Sequence, residues 1–324
     1  MLKKIITSVA VAACVGVLST TSAIAAETLK WAHVYETGSN YHTAALWAAE
    51  EVKKRTDGRV EIKVFPASSL GKEVEINEGL GIGSVDIIYT GPNFAERYYG
   101  PIAISDYPFI MRDYDHWKKY RDSELFAELS EGYKDATGHT VSTLGYYGQR
   151  HVTSNKPILK PEDMKGLKIR VPNSPLMLMF PRAVDANPTP MAFSEVYLAL
   201  QQGVVDAQEN PLPTIKFKKF YEVQSNINLT GHILNSLLTI VSDSAVDRVG
   251  DDFDTLNTVL KESAAKYSDE IYTSEQDLVA WFREQGTKVN EVDKKPFKDA
   301  VTPMLTADGV PYTLDHFNRL GAIE

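Results

Sequence analysis

Arg170 is the residue whose type and setting point most directly to chemistry. It lies in the segment GLKIRVPNSP (166–175), where aliphatic residues alternate with basic ones. This period of two is typical of a β-strand with one buried face, and it places Arg170 on the opposite face. Pro172 ends the strand, and Ser174-Pro175 supplies an N-cap and a first-turn proline for a helix. In α/β proteins anions collect at strand carboxyl ends beside helix N-termini. Arg170 is therefore a candidate anion ligand, and a solvated surface arginine is the alternative.

The N-terminal segment indicates export. Lys3 and Lys4 precede an apolar run and small residues, which is the pattern of a secretory signal peptide over residues 1–26, cleaved after Ala25 or Ala26. A lipoprotein-type box ending at Cys14 is the alternative. Cys14 is the only cysteine of the chain. Removal of the signal peptide would leave a protein held together by its core, without disulfides.

Composition disfavours several classes of partner. The 324 residues carry a formal charge of −9, and loss of Lys3 and Lys4 with the signal peptide changes this to −11 (−9 − 2). An acidic surface argues against nucleic acid and anionic membranes as partners. After the signal peptide no hydrophobic stretch is long enough to span a bilayer. A transport role would therefore require a separate membrane protein.

The chain shows one α/β pattern twice. Residues 29–90 alternate as β-α-β-α-β, which predicts a parallel sheet. Residues 166–210 repeat the pattern: GRVEIKVFP (58–66) resembles GLKIRVP (166–172), and GIGSVDIIYTGPN (81–93) resembles LQQGVVDAQENP (200–211). Two lobes of like architecture are expected, with a cleft between them.

A long helix is predicted for residues 253–284. This segment lacks Gly and Pro, and its apolar residues recur at helical spacing. A helix of that length would reach roughly 45 Å, enough to bridge two lobes. Thr273 to Gln276 is a possible capping box, where a break would divide the helix between the lobes. A dimer-forming coiled helix is the competing interpretation.

Known catalytic and metal-binding motifs are missing from the sequence. It has no G-x-S-x-G, H-E-x-x-H or phosphate-loop pattern, and its seven histidines lack metal-ligand spacing. Asp113 and Asp115 near His116 are better explained as a charged helix start than as a cation site. We expect no metal, no cofactor and no enzymatic activity, with an exported sugar-acid hydrolase or lyase as the alternative from another class.

Two segments carry a family resemblance. YYGQRHVTSNKPILKPEDMKGLKIRVPN (146–173) and ANPTPMAFSEVYLALQQGVVDAQENPLPTIKFKKFYEVQ (186–224) closely resemble the DctP-type substrate-binding proteins of TRAP transporters. The resemblance implies an α/β, two-lobed periplasmic binding protein with a long bridging helix. It also implies a periplasmic monomer that hands a small organic acid anion to TRAP membrane permease subunits. The expected lobes are residues 27–148 with 236–275, and 149–235 with 276–324.

The resemblance also assigns candidate binding residues. In this family the arginine of the RVP strand pairs with the substrate carboxylate, which carries over to Arg170. A planar guanidinium matches a carboxylate in two parallel hydrogen bonds. The other residues carried over in the same way are Arg150, Asn173, Phe193 and Asn210.

The substrate is less closely defined. Sialic-acid-binding members have an asparagine and a glutamate where this chain has Val34 and Gly91, so sialic acid is not expected. The first lobe offers a polar and aromatic set suited to hydroxyl groups: His33, Glu36, Glu73, Tyr89 and Asn93. A hexuronate or aldonate fits this set, and aromatic carboxylates and C4-dicarboxylates are the alternatives.

Overall fold

The computed structural model describes residues 26–324. Cys14 and the signal peptide predicted up to Ala26 thus fall almost wholly outside the described residues. Within residues 26–324, no helix is both long and apolar enough to cross a membrane.

The described residues contain nine strands, which form a single mixed sheet in the order β2-β1-β3-β8-β4-β7-β5-β6, with β9 paired to β8. The strands are β1 Glu27–Ala32, β2 Val60–Phe65, β3 Ile87–Thr90, β4 Thr140–Ser154, β5 Lys168–Val171, β6 Asn187–Pro190, β7 Ala207–Pro211, β8 Asn226–Val241 and β9 Lys288–Asn290.

The same range, residues 26–324, has twelve α-helices around the sheet, together with short 3-10 turns. They are α1 Asn40–Arg55, α2 Glu73–Gly81, α3 Pro92–Ala95, α4 Tyr114–Arg121, α5 Glu124–Thr137, α6 Met179–Ala183, α7 Val196–Gln201, α8 Leu212–Phe217, α9 Asp243–Val249, α10 Phe253–Glu284, α11 Lys294–Val301 and α12 Leu314–Gly321.

Both repeated α/β units form as predicted. β1 runs parallel to β2 and β3, and β5 runs parallel to β6 and β7. We call β1–β3 the first half of the sheet and β5–β7 the second half. The α/β, two-lobed architecture expected from the sequence is confirmed.

Two long antiparallel strands, β4 and β8, join the halves. The 140–146 end of β4 pairs with residues 236–241 of β8, and the same end of β8 pairs with β3. Residues 150–154 of β4 pair with residues 226–233 of β8 on one side and with β7 on the other. Each long strand therefore belongs to the first half at one end and to the second half at the other.

The third connection is α10, which runs unbroken over 32 residues. The predicted break at Thr273 to Gln276 is wrong, because both side chains lie exposed on the surface of a continuous helix. Leu256, Leu260 and Ile271 are buried within the chain's own core. The apolar stripe that suggested a coiled-coil dimer is thus covered by the same chain.

The environment of Arg170 also differs from the sequence prediction in part. Ile169 and Val171 are buried as the alternation requires, but Arg170 itself is only 1% exposed. The alternative of a solvated surface arginine is therefore wrong. The predicted cap at Ser174 is also wrong: its hydroxyl donates to Glu96 Oε1 at 2.8 Å, and a 3-10 turn precedes α6.

Candidate functional site

Arg170 is a buried cation held only by a backbone carbonyl. Its Nε and Nη2 donate to the Met191 carbonyl oxygen at 3.0 and 2.6 Å. Among the described residues, no carboxylate forms an ion pair with it within 4.0 Å. Burial lowers the pKa of Arg170 to about 10, against the opposing effect of Glu73, so the group stays charged at neutral pH. Because a buried charge is costly unless paired, this position favours an incoming anion.

Arg150 has an internal partner. From β4 it forms a two-pronged pair with Glu209 of β7, in which Nη2 donates to Oε1 at 2.7 Å and Nε donates to Oε2. Its Nη1 donates to Asn235 Oδ1 at 2.7 Å. Burial raises the pKa of Glu209, but Arg150 and His232 outweigh burial and lower it to about 2. The charge of Arg150 is therefore compensated within the protein, whereas that of Arg170 is not.

The remaining second-half candidates lie at different depths. Asn210 is buried, donates to Gln208 Oε1 at 2.6 Å and accepts from the Tyr147 hydroxyl at 3.5 Å. Phe193 is buried with the Lys218 ammonium 5.0 Å from its ring centre. Asn173 is exposed and lines a cavity of about 340 Å³ together with Glu73 and Phe94.

Of the first-half candidates, Glu73 has the burial and charge environment that best suit a residue in contact with a ligand. It is the first residue of α2 and is half-buried. Burial raises its pKa, while the neighbouring charge of Arg170 opposes the rise. The fields of Glu73, Arg150 and Arg170 all reach the Tyr147 hydroxyl. The fold thus brings these four side chains into one electrostatic environment.

The other first-half candidates have partners or lie deeper. Glu36 forms an ion pair with Lys218 at 2.8 Å. His33 Nε2 lies 3.2 Å from His42 Nδ1, and burial lowers the pKa of His33 to about 3. Tyr89 is buried, with its ring centre 5.9 Å from that of His33. Asn93 is also buried, and its Nδ2 has no hydrogen-bond partner among the described residues.

Sequence reasoning missed several residues that shape the site. Tyr35 lies with its ring centre 5.4 Å from Tyr147 and 6.3 Å from Phe193, which forms an aromatic wall. Glu209 stands beside Asn210 in the QENP segment, but its partner Arg150 is 59 residues away. No local pattern signals either relationship.

The two halves touch at the mouth of the cleft. Lys218 of the second half pairs with Glu36 of the first, and Lys72 pairs with Glu195. Ser174 also donates to Glu96, as described above. These three contacts link residues 36–96 of the first lobe's α/β unit to residues 174–218 of the second. In the described part of the chain, no group of three or more His, Cys, Asp or Glu residues is arranged to hold a metal ion.

One family model and several known proteins match most of the chain. The family model described as bacterial extracellular solute-binding protein, family 7 (DctP) matches residues 31–308. The sialic acid-binding periplasmic protein SiaP of Vibrio cholerae is 34% identical over 281 residues, covering 86% of this chain and 88% of that protein. The 2,3-diketo-L-gulonate-binding periplasmic protein YiaO of Escherichia coli is 31% identical over 286 residues, covering 87% and 86%.

Solved structures of TRAP periplasmic solute-binding proteins share the fold. One from Polaromonas, bound to D-erythronate, has a TM-score of 0.88 at 30% identity and covers 92% of this chain and 99% of its own. One from Sulfurospirillum deleyianum, with bound succinate, has a TM-score of 0.85 at 31% identity, covering 92% and 100%. One from Citrobacter koseri, with bound D-glucuronate, has a TM-score of 0.87 at 27% identity, covering 92% and 100%.

These matches extend well beyond the segments that carried the resemblance, and the structural matches cover most of the two-lobed fold. The chain therefore belongs to the DctP family of bacterial extracellular solute-binding proteins, the solute-binding components of TRAP transporters.

Proposed function

We propose that this protein captures a sugar acid with a single carboxylate, such as a hexuronate or aldonate, and delivers it to a TRAP membrane permease. The observation that carries the proposal is the buried guanidinium of Arg170, which has no carboxylate partner in the described residues. A substrate carboxylate would supply the missing charge through charge-assisted hydrogen bonds in a cleft closed to water.

Glu73 favours a single carboxylate over two. A carboxyl group hydrogen-bonds a hydroxyl in either protonation state, but only its neutral form tolerates a second carboxylate nearby. Glu73 is half-buried on the cavity that Asn173 also lines. A polyhydroxy acid can donate a hydroxyl there, whereas a C4-dicarboxylate would bring a repelling charge. The structure of the relative with bound D-glucuronate supports this class, while the one with bound succinate keeps dicarboxylates in the comparison.

An aromatic carboxylate is the second candidate. The rings of Tyr35, Tyr147 and Phe193 form one wall close to the arginines. Aromatic pairs of this kind add stabilisation beyond area burial. Sialic acid fits less well, because this chain has Val34 and Gly91 where the sialic-acid-binding members have an asparagine and a glutamate.

The proposal also covers export, oligomeric state, closure of the lobes and partners. Residues 1–26 act as a cleaved signal peptide, the mature chain works as a periplasmic monomer, and residues 27–148 with 236–275 close as one lobe on 149–235 with 276–324. The protein catalyses no reaction, and it has no nucleic-acid partner. Closure by hinge motion follows when the ligand contacts both lobes.

A thermal-shift panel tests the substrate class. It contains D-glucuronate, D-galacturonate, L-galactonate, succinate, benzoate and sialic acid. An acid at about a hundred times its dissociation constant adds roughly 2.7 kcal/mol of stability. Stabilisation by uronates or aldonates above the other acids is the expected result. A response to succinate or benzoate alone would replace the proposed class, and turnover of a uronate by the purified protein would favour the hydrolase or lyase alternative. Stability unchanged by every acid would count against carboxylate capture.

Closure is tested by small-angle scattering on the same protein. We expect the radius of gyration to fall when the best acid of the panel saturates the protein. An unchanged radius would contradict closure of two lobes around the ligand.

A further inference from the structure

Where α10 crosses β4, the helix contacts the strand backbone at two points. Ser268 Oγ accepts a hydrogen bond from the Tyr146 N–H at 2.8 Å, and Glu275 Oε1 accepts from the Gln149 N–H at 2.6 Å. Seven helical residues span about 10.5 Å and three strand residues about 10 Å, so the two spacings match. The two contact points on the helix are therefore about as far apart as the two on the strand.

The strand is irregular between these two points. The pairing of β4 with β8 shifts register between Tyr146 and Gly148. Gly148 has a φ of 119°, which favours glycine, and a Cβ there would lie 2.8 Å from Glu275 Oε1. Such a bulge leaves the strand locally free to bend. The hydrogen bond between Gln149 and Glu275 holds the strand just after the bulge, immediately before Arg150.

Glu275 is an unusual residue for this position. Its side chain is buried, 8% exposed, and its second oxygen accepts from the Tyr146 hydroxyl at 3.0 Å. Burial raises its pKa to about 7, and the Gln149 N–H, the Tyr146 hydroxyl and Lys294 of α11 oppose the rise. Lys294 is the charged group facing it from the second half, and Glu291 acts in turn on Lys294. A buried carboxyl is costly unless it is hydrogen-bonded, and here both oxygens accept hydrogen bonds from β4.

The lobe boundaries expected from the sequence fall between residues 148 and 149 on the strand and between 275 and 276 on the helix. The Glu275–Gln149 hydrogen bond therefore joins the last helix residue assigned to one lobe to the first strand residue assigned to the other. We propose that Glu275 is a positioning residue that ties α10 to β4 at their common crossing, so that helix and strand move together as the cleft opens and closes. In this role it also keeps Arg150 and Tyr147 oriented toward the cleft.

The test uses unliganded protein, so it is independent of which acid binds. Spin labels are placed on Ile82→Cys in the first half and Leu198→Cys in the second, at side chains 80% and 53% exposed. Cys14 is the only native cysteine, and Cys14→Ser removes it. The measurement is the distribution of distances between the two labels, together with amide hydrogen exchange at Gln149.

Glu275→Leu keeps the volume but removes both acceptors. We expect a broader label distribution with a longer mean, and exchange at Gln149 at least about tenfold faster. Glu275→Gln retains an acceptor oxygen for the Gln149 N–H, so it should restore the wild-type distribution. If Glu275→Leu fails to fold, Glu275→Asp replaces it, since its shorter side chain keeps the charge but withdraws from Gln149.

Ser263→Ala is the matched control. Ser263 is a buried polar residue of the same helix, and its hydroxyl donates to the Ala44 carbonyl within the first half at 3.0 Å. We expect this variant to lower the melting temperature without broadening the distribution. A wild-type distribution in Glu275→Leu or Glu275→Asp would overturn the proposal. Equal broadening in Ser263→Ala would show that any loss of buried polar contact has the same effect, and this would overturn it too.

Discussion

Arg170 and Glu73 act on each other's charge without forming an ion pair. Each opposes the effect of burial on the other's pKa, yet no nitrogen of Arg170 lies within 4.0 Å of a Glu73 oxygen. Arg150, by contrast, is in direct contact with Glu209. Arg150 is thus neutralised by direct contact with a carboxylate, whereas Arg170 and Glu73 affect each other's charge without such contact.

Arg170→Ala should weaken binding of the best acid of the panel by at least a hundredfold. Removal of one partner from a buried charge pair costs on the order of 3–5 kcal/mol. Arg170→Lys should also bind poorly, because an ammonium cannot supply two parallel hydrogen bonds. Isothermal titration calorimetry measures both affinities. Arg182→Ala removes an exposed arginine of α6 and serves as the control. Near-native affinity in Arg170→Ala would contradict the assignment.

Folding of the Arg170 variants needs its own measurement. The guanidinium holds the Met191 carbonyl through two hydrogen bonds, so Arg170→Ala leaves a buried acceptor unsatisfied at a cost of about 1–3 kcal/mol. We expect a folded protein with a lowered melting temperature. Arg170→Lys, which can still donate to Met191, should melt closer to the wild type. The reverse order would show that Met191 is not the relevant structural partner.

Glu73→Gln should relax the discrimination against dicarboxylates. The amide still hydrogen-bonds a hydroxyl but carries no charge to repel a second carboxylate. We expect the ratio of D-glucuronate affinity to succinate affinity to fall by about tenfold, which corresponds to 1.4 kcal/mol. Calorimetric titration of both acids into both proteins gives the ratio. An unchanged ratio would place Glu73 outside the contact with the ligand.

Glu209→Gln should destabilise the fold. It leaves the buried charge of Arg150 without its carboxylate, for which a loss of about 3–5 kcal/mol in the free energy of unfolding is expected. Glu195→Gln is the control, because its pair with Lys72 is exposed and contributes about 0–1 kcal/mol. Urea denaturation measures both. Equal, small losses in the two variants would show that the buried pair is not a stabilising element.

The free energy of unfolding should change little between about pH 4.5 and pH 6.5 and should decline above pH 6.5. Burial raises the pKa of Asp106 from 3.8 to about 8 and that of Glu275 from 4.5 to about 7. The folded state thus binds these protons more tightly, and stability is lost as pH rises toward 8. Burial lowers the pKa of His33 from 6.5 to about 3 and also that of His151, so their contribution is lost as pH falls below 6.5.

Urea denaturation between pH 4 and pH 9 checks this profile. A fully titrating group changes the free energy of unfolding by about 1.4 kcal/mol per pH unit. Asp106→Asn should flatten the decline between pH 6.5 and pH 8, and it should make stability rise with pH between about pH 4.5 and pH 6.5, because Asp106 no longer offsets the histidines there. A decline equally steep in this variant would assign the alkaline loss to other groups.

Local patterns predicted those parts of the fold in which neighbouring residues determine the element. The units at 29–90 and 166–210 follow from periodicity and turn residues, and both form. β4 and β8 were not predicted, since their residues are buried along nearly the whole strand and give no alternation. The motif at Thr273 to Gln276 misled because the helix there is stabilised by contacts with a strand far away in sequence.

The candidate site also has one part that local sequence predicts and another that it does not. Arg170 could be predicted from a strand, a turn and a family resemblance, all within one short segment. The partnership of Arg150 with Glu209 depends on the adjacency of β4 and β7, which no segment contains. The aromatic wall likewise joins Tyr35, Tyr147 and Phe193 from three distant segments. Such relationships follow from the order of the strands in the sheet, which could not be predicted from the sequence alone.

A nascent chain cannot complete the first half of the sheet until Val241 has been synthesised. Ile87 to Thr90 pair on one side with residues 238–241 of β8, which are made long after the rest of that half. Until then β3 presents an open edge of unpaired N–H and C=O groups, the kind of edge that recruits foreign strands. The first half therefore cannot be completed before most of the second half has been made, and its open edge would expose a stalled chain to aggregation.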